Sequence, residues 1–224
     1  MSRAHAVMRN GRALPRLHAV TDDEVLGRAG WEAAAGQVLE AGGPDIALHI
    51  RGPAVGSRRL LALVTALAPD ARRTGASLLV NDRVDVALVA EVDGVHLRGG
   101  SLSSERARAL VGPDMWIGES LHDIDETAAA AGQGADYAFL GMIFPTASHP
   151  GREGLGIAAL EAAVKCSKGL PILGIGGIGA GEAAAVVASG AYGVAAIRGI
   201  WDAPDPGASV RRYLEVVANR RGQQ

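Results

Sequence analysis

The sequence predicts an α/β fold, and within that class a TIM (β/α)8 barrel, for three reasons. Short apolar segments typical of strands alternate with helical segments eight times along the chain. These strand segments are almost continuously apolar, which is typical of parallel strands covered on both faces. The chain has 224 residues, a length at which an α/β barrel forms one domain. An open, doubly wound parallel sheet is the alternative topology.

Each predicted strand is a short run of mainly apolar residues that ends in glycine or in polar residues. The predicted strands, in chain order, are Leu17–Thr21, Asp45–Arg51, Ser77–Asn81, Gly94–Leu97, Met115–Glu119, Tyr137–Gly141, the glycine-bearing segment Pro171–Ile178, and Val194–Ile197.

A helical segment follows each strand, and most of these segments are rich in alanine, a strong helix former. Asp123 stands where a side chain can cap the helix that begins at Ile124. The predicted helices are Glu32–Ala41, Ser57–Leu67, Val84–Ala90, Ser103–Val111, Ile124–Gly132, Ile157–Lys168, Gly181–Ser189 and Ala208–Asn219.

We expect a single barrel domain over residues 15–224, preceded by an N-terminal extension at residues 1–14. The extension contains Arg3, Arg9 and Arg12 but no apolar run. It therefore does not resemble a secretory signal, and it is a candidate for disorder.

Composition narrows the class of protein. The formal net charge of −2 lacks the basic excess of a nucleic-acid-binding protein. The single cysteine, Cys166, excludes an intramolecular disulfide bond and is typical of a reducing compartment. We expect Cys166 to be a small packed side chain of its helix rather than a nucleophile.

From Pro171 to Ile197 only Glu182 is charged, but the glycines there favour a barrel interior over a membrane span. The sequence thus predicts a soluble cytoplasmic protein that binds neither nucleic acid nor membrane.

Glycines at the last two strands predict an anion site. Gly174, Gly176 and Gly177 lie at the end of the seventh strand, and Gly199 follows the eighth. Glycine lets the backbone turn tightly and present bare N–H groups to a ligand. Phosphate binding after the last two strands recurs in (β/α)8 barrels. Tight turns without a ligand are the alternative explanation.

Histidines are concentrated at the predicted strand ends, where barrel enzymes place their chemistry. Of the six histidines, His49, His96, His122 and His149 lie at such positions. His122 follows a strand directly, and imidazole exchanges protons near neutral pH. It is therefore a candidate acid/base, with a solvated loop residue as the alternative. We expect His96 to be a core histidine that donates to backbone, while His49 can face either way.

Metal binding has little support in the sequence. Asp82 is a lone carboxylate at a strand end, whereas Mg²⁺ usually takes one or two carboxylates together with substrate phosphates. Asp82 is expected to cap the next helix or to pair with Arg83.

Several segments together resemble the thiamine phosphate synthase / TenI family, from about Leu17 to Ile200. The matching segments are Val20–Asp22, Leu79–Leu88, Asp93–Leu97, Ile117–His122, Gly134–Tyr137, Gly141–Thr146, Ile175–Ile178 and Gly190–Val194. The resemblance implies a TIM barrel, a role in thiamine biosynthesis and a homo-oligomer.

The family contains two activities. The synthase joins a pyrimidine diphosphate to a thiazole phosphate and releases pyrophosphate, with Mg²⁺. The chain departs from the synthase pattern at three places. A Gln-x-Arg-x-Lys motif is replaced by His49–Pro53, a metal-binding Asp by Ser101, and a loop Lys by His149. The resemblance therefore favours the second activity, a TenI-type thiazole tautomerase, which needs no metal or other cofactor.

The resemblance also implies roles for individual residues. His122, in the Ser-x-His motif, is the catalytic acid/base that shifts a proton on a thiazole phosphate carboxylate. The Arg198 side chain either adds charge to the phosphate site or points outward. The predicted phosphate-binding residues are Gly176, Gly177, Arg198 and Gly199, and the predicted substrate-binding residues are Arg51, Asn81, Ser120, Thr146, Ser148 and His149. Thiamine phosphate synthase activity and non-catalytic binding of a thiazole phosphate are the alternatives.

Overall fold

The protein is a closed barrel of eight parallel strands surrounded by helices, so the predicted TIM (β/α)8 fold is confirmed. The computed structural model describes residues 8–146 and 151–218. The barrel strands are β3 (Leu17–Val20), β4 (Ile46–Ile50), β5 (Ser77–Asn81), β6 (Gly94–Leu97), β7 (Trp116–Leu121), β8 (Tyr137–Gly141), β9 (Ile172–Ile175) and β10 (Gly193–Ala196). They neighbour one another in the order β10-β3-β4-β5-β6-β7-β8-β9.

Helices connect consecutive strands and cover the outside of the barrel. They are α1 (Asp23–Leu26), α2 (Trp31–Gly42), α3 (Ser57–Thr74), α4 (Val84–Val89), α5 (Ser104–Val111), α6 (Ile124–Ala130), α7 (Gly156–Cys166), α8 (Ala180–Ala188), α9 (Arg198–Trp201) and α10 (Pro206–Ala218). One 3-10 turn, Gly43–Asp45, leads into β4.

Three helices differ from the sequence prediction. Helix α3 continues past Leu67 to Thr74, because Ala68 and Ala71 extend its buried stripe beyond the predicted end. Helices α1 and α9 were not predicted, since four residues are too few to show a helical period.

An antiparallel hairpin, β1 (Met8–Arg9) with β2 (Arg12–Ala13), precedes the barrel. It lies within the predicted N-terminal extension, whose residues 1–7 are outside the described part of the chain. Arg9 pairs with Asp136, and Arg12 Nη1 lies 2.6 Å from Asp93 Oδ1. Ion pairs of Arg9 and Arg12 thus connect the hairpin with the barrel.

Cys166 is exposed at the last turn of α7, so the expectation that it packs as a small core side chain is wrong. The buried stripe of α7 passes through Leu160 and Ala163 and leaves Cys166 on the solvent side. Among the helices of the described residues, none is long and apolar enough to cross a bilayer.

Side chains of the strands alternate between two apolar layers. The larger layer lies between the strands and the helices, and includes Leu17, Leu48 and Val95. The smaller layer fills the barrel interior, with Trp116, Tyr137 and Phe139 as its largest members. This alternation decides which residues at the strand ends face the barrel mouth.

Candidate functional site

A cavity of about 380 Å³ opens at the carboxyl ends of β9 and β10, where barrel enzymes bind phosphate groups. All four residues predicted to bind phosphate line this cavity, and so does Thr146, predicted to bind substrate. The cavity-lining residues that matter here are Thr146, Gly176, Gly177, Ile197, Arg198 and Gly199.

The cavity presents backbone donors. Within the described part of the chain, the N–H groups of Gly176, Gly177, Arg198 and Gly199 donate to no protein acceptor. Arg198 and Gly199 form the first turn of α9, where backbone N–H groups point out of the helix. Bare N–H groups from two neighbouring turns form an anion site. We call these four residues the amide cradle.

Glycine is required at the cradle because another loop packs closely behind it. Gly176 and Gly177 have φ values of 94° and 65°, in the left-handed region. A Cβ atom at Gly177 would lie 2.6 Å from Pro145 O and 2.8 Å from Phe144 Cβ. The loop after β8 thus presses on the cradle from the side away from the cavity.

The Arg198 side chain is occupied by carboxylates. Its Nη2 lies 3.0 Å from Asp22 Oδ2, and its Nη1 lies 2.6 Å from Glu24 Oε1. Hydrogen bonds from Arg198, supported by Arg28, lower the pKa of Glu24 to about 2. These ion pairs hold the guanidinium at the start of α1, and its Nη1 lies 3.9 Å from Oδ1 of Asp202, a further carboxylate that lines the cavity. The backbone of Arg198, rather than its charge, is available to an anion.

Arg51 is a second feature that suits an anion. It follows β4 at the mouth, on the same face of the strand as His49. Its backbone N–H donates to Thr21 Oγ1 at 2.8 Å. Its guanidinium forms neither a hydrogen bond nor an ion pair with the residues that the structure describes. The charge of Arg51 is therefore uncompensated in the described part of the mouth.

His122 follows β7 at the mouth and is exposed. Its backbone N–H donates to Glu126 Oε2 at 2.6 Å. A Cβ atom at Gly99 would lie 3.9 Å from His122 Nε2, so the ring lies beside the loop after β6. Strands β7 and β9 are two spacings apart, about 10 Å. His122 and the amide cradle therefore flank the mouth from different sides.

Asp123 caps α6 by accepting from Glu126 N at 2.7 Å, as predicted.

The side chains of Asn81 and Ser120 also lie at the mouth, and each is hydrogen-bonded to a buried histidine of the barrel interior. His49 Nδ1 lies 3.2 Å from Asn81 Oδ1. His96 Nε2 lies 2.9 Å from Ser120 Oγ. His96 is buried as predicted, but its partners are side chains and not backbone. His49 faces the interior and is completely buried.

Burial controls the charge of these interior histidines. It lowers the pKa of His49 from 6.5 to about 4. Burial, together with nearby His49, holds the pKa values of His18 and His96 well below the ordinary value, and Arg51 adds to this at His96. All three rings are therefore neutral at pH 7.

Asp82 neither caps a helix nor pairs with Arg83. Its Oδ1 accepts from Arg98 N at 2.9 Å, and its Oδ2 lies 3.2 Å from Arg98 Nε. The described residues contain no group of three His, Cys, Asp or Glu side chains placed to hold a metal. Asp82 is thus a single carboxylate that is paired with Arg98, whereas Mg²⁺ is usually bound by one or two carboxylates together with substrate phosphates.

Two predicted substrate-binding residues, Ser148 and His149, lie outside the described residues. Two other residues were missed. His18 Nδ1 lies 2.8 Å from His49 Nε2, and Tyr137 OH lies 3.3 Å from His96 Nδ1. Both alternate inward along their strands, and that alternation was the signal available in the sequence.

Comparison with known proteins places this site in a family context. Residues 17–200 match the protein family described as Thiamine monophosphate synthase. A thiamine-phosphate synthase of Moorella thermoacetica is 41% identical over 189 residues, which are 82% of this chain and 87% of that protein. One of Roseiflexus castenholzii is 39% identical over 175 residues, which are 78% of this chain and 76% of that protein.

A solved structure agrees with these matches. Thiamine phosphate pyrophosphorylase from Pyrococcus furiosus superposes with a TM-score of 0.78 at 29% sequence identity. The superposition covers 91% of this chain and 96% of that one.

Proposed function

This chain belongs to the thiamine monophosphate synthase family, and from that membership we propose that it is a transferase of thiamine biosynthesis. In this reaction the ring nitrogen of a thiazole phosphate attacks the pyrimidine carbon that carries the diphosphate. A carbon–nitrogen bond forms, the carbon–oxygen bond to the diphosphate breaks, and diphosphate leaves with the bonding electrons. The relatives named thiamine-phosphate synthase support this proposal over the tautomerase that the sequence resemblance favoured.

One structural observation carries the proposal. The mouth has two separate positions for anions, the amide cradle at β9 and β10 and the uncompensated Arg51 at β4. A reaction between two phosphorylated molecules needs both. The cradle suits the phosphate ester, because bare N–H groups fit its oxygens. Arg51 suits the diphosphate, because a guanidinium stabilises the charge that develops on a leaving group.

The family resemblance implies Mg²⁺ for this reaction, but the described residues fit a protein-held Mg²⁺ poorly. Asp82 is paired with Arg98, and Ser101 stands where a second carboxylate is expected.

A different observation, the position of His122 at the barrel mouth, supports a second candidate, the thiazole tautomerase. That reaction moves a proton on one phosphorylated ring and needs only a phosphate site and an acid/base. His122 at the mouth is the group available for that role.

Two substitutions separate the candidates. In thiamine phosphate formation, Arg51→Gln should lower kcat/KM about 100-fold, because one preorganised charge is typically worth that much. His122→Asn should change this rate less than threefold. In thiazole tautomerisation, His122→Asn should cost 10²–10⁴-fold. Arg58→Gln, on the exposed face of α3, is the matched control.

Both reactions are measured on one preparation, with and without Mg²⁺. Formation of thiamine phosphate supports the transferase. Tautomer conversion without thiamine phosphate formation refutes it in favour of the second candidate.

A further inference from the structure

We infer that His49 and His96 are positioning residues, each in the Nε2–H tautomer, so that Asn81 presents its amide oxygen and Ser120 its hydroxyl proton to the barrel mouth. Two hydrogen-bonded chains run from the barrel interior to these two side chains. One joins Pro15, His18, His49 and Asn81. The other joins Tyr137, His96 and Ser120.

In the first chain, the fixed acceptor at Pro15 determines which ring nitrogens carry protons. It begins at Pro15 O, which only accepts, and His18 Nε2 lies 3.1 Å from it. His18 Nε2 must therefore carry the proton, and His18 Nδ1 is a bare acceptor. His49 Nε2, 2.8 Å away, must then donate to it. Because each neutral ring carries one proton, His49 Nδ1 is bare as well.

These proton positions fix the orientation of Asn81. A bare His49 Nδ1 needs a donor, and its neighbour is the Asn81 amide, with Oδ1 at 3.2 Å. Rotation of that amide by 180° places Nδ2 at this contact and turns Oδ1 toward the mouth. The opposite arrangement would need an extra proton on one of the two rings. Both rings are completely buried, and burial lowers their pKa values.

The second chain begins at a buried hydroxyl. Tyr137 is completely buried, and its hydroxyl has one partner among the described residues, His96 Nδ1. Burial raises the pKa of Tyr137, so the hydroxyl keeps its proton. A buried donor is rarely left without an acceptor, so the proton goes to His96 Nδ1. His96 Nε2–H then donates to Ser120 Oγ, and the Ser120 proton is left for a ligand.

Two neighbouring residues, Gly118 and Phe139, accommodate His96 and restrain its ring in this arrangement. A Cβ atom at Gly118 would collide with both the Tyr137 ring and His96 Nδ1. Glycine at this strand position leaves room for the Tyr137–His96 contact. Phe139 packs on His96 with ring centroids 4.2 Å apart, which limits rotation of the imidazole.

The two hydrogen-bonded chains therefore determine whether a ligand atom at Asn81 or at Ser120 must be a donor or an acceptor. A ligand atom over Asn81 must carry N–H or O–H, whereas one over Ser120 must be an acceptor. An anionic oxygen over Asn81 Oδ1 would be repelled. Anions are thus directed to Arg51 and the amide cradle.

Two-bond ¹H–¹⁵N correlation spectra of the ¹⁵N-histidine-labelled full chain test this directly. At pH 7 each of His18, His49 and His96 should show one protonated Nε2 and one bare Nδ1. Histidine-to-glutamine variants at these positions assign the signals. A protonated Nδ1 on His49 or His96 would overturn the inference, whatever the reaction catalysed.

A functional measurement rests on the proposed transferase activity. Gln at position 49 can donate to His18 and accept from Asn81, whereas Leu can do neither. His49→Gln should keep KM within threefold, and His49→Leu should raise KM for one of the two substrates about 10-fold, with kcat less affected. Equal KM values in both variants would refute the positioning role.

If His49→Leu does not fold, hydrogen exchange of the Asn81 side-chain amide is measured in the unaltered protein instead. One of its protons should exchange slowly because it is bonded to His49. Fast exchange of both protons would count against the inference. Absence of all turnover would refute the proposed function and leave the spectra as the test.

Discussion

Histidine takes different tasks in this protein according to its place on a strand. His49 and His96 lie inside the barrel and are neutral. His122 lies just past a strand and is exposed. The same side chain is therefore a hydrogen-bonding support in the interior and a candidate acid/base at the mouth. The low-dielectric interior makes the difference, since it disfavours the imidazolium form.

The buried His49 predicts how stability depends on pH. Its pKa is 6.5 in the unfolded chain and about 4 in the barrel. Below pH 6.5 the unfolded state binds more protons, so stability falls as pH is lowered toward 4. From pH 7 to pH 5 the contribution of His49 should fall by about 2 kcal/mol.

Urea denaturation of the protein and of His49→Gln at pH 7 and pH 5 measures this. The variant should lose about 2 kcal/mol less than the unaltered protein over that interval. Equal losses would show that His49 is not the cause.

At the scale of elements, the site depends on how one loop packs against another. The loop after β8 lies behind the amide cradle, and Ile143 N donates to Ile175 O at 2.9 Å. Phe144 N donates to Gly176 O at 3.0 Å. The glycines of the cradle thus have two functions, since they expose N–H groups toward the cavity and admit this loop on the other side.

Gly177→Ala should disturb both functions. Alanine at φ 65° costs about 1–2 kcal/mol, and its Cβ would press on Pro145 O and Phe144. The free energy of unfolding should fall by at least about 1 kcal/mol, and inorganic phosphate should protect the variant less against urea than it protects the unaltered protein.

Gly181→Ala is the matched control, because nothing lies within 4 Å of a Cβ atom at Gly181 in α8. Its stability should equal or exceed that of the unaltered protein. If both variants behave alike, the packing explanation for Gly177 fails.

At the scale of the molecule, charged networks join parts that are distant in the chain. Arg198 of the last βα unit pairs with Asp22 and Glu24 of the first, across the junction where β10 meets β3. At the other end of the barrel, the Asp136 side chain is 2% exposed and pairs with Arg9 and Arg108. Asp136 Oδ2 also accepts from Ile117 N at 2.8 Å.

Asp136→Asn should therefore destabilise the whole barrel. The substitution leaves two arginines near a neutral amide in a buried position, and breaking such a pair costs roughly 3 kcal/mol. Urea denaturation should show a lower midpoint with an unchanged slope.

Asp114→Asn is the control, because Asp114 is exposed and precedes β7, the strand to which Asp136 is hydrogen-bonded through Ile117. It should change stability by less than about 0.5 kcal/mol. A small effect of Asp136→Asn would mean that the hairpin is not tied to the barrel through this residue.

Local patterns were enough to predict the barrel and to propose where its site lies. A few neighbouring residues are enough to recognise each of these features in the sequence: the eight strand segments, the glycines after β9 and the histidines at strand ends. Such patterns hold wherever the chain folds as an α/β barrel, because the strand ends then meet at one mouth. The cradle residues and Thr146 line one cavity at that mouth.

Long-range contacts were not predictable from those patterns. The exposure of Cys166 depends on which face of α7 meets the barrel. The orientation of Arg198 depends on two carboxylates about 175 residues away in the chain. The polarity of Asn81 depends on a carbonyl at Pro15, through two other strands. Spacing along the chain establishes which residues reach the mouth, whereas hydrogen bonds between distant segments establish what each residue presents to a ligand.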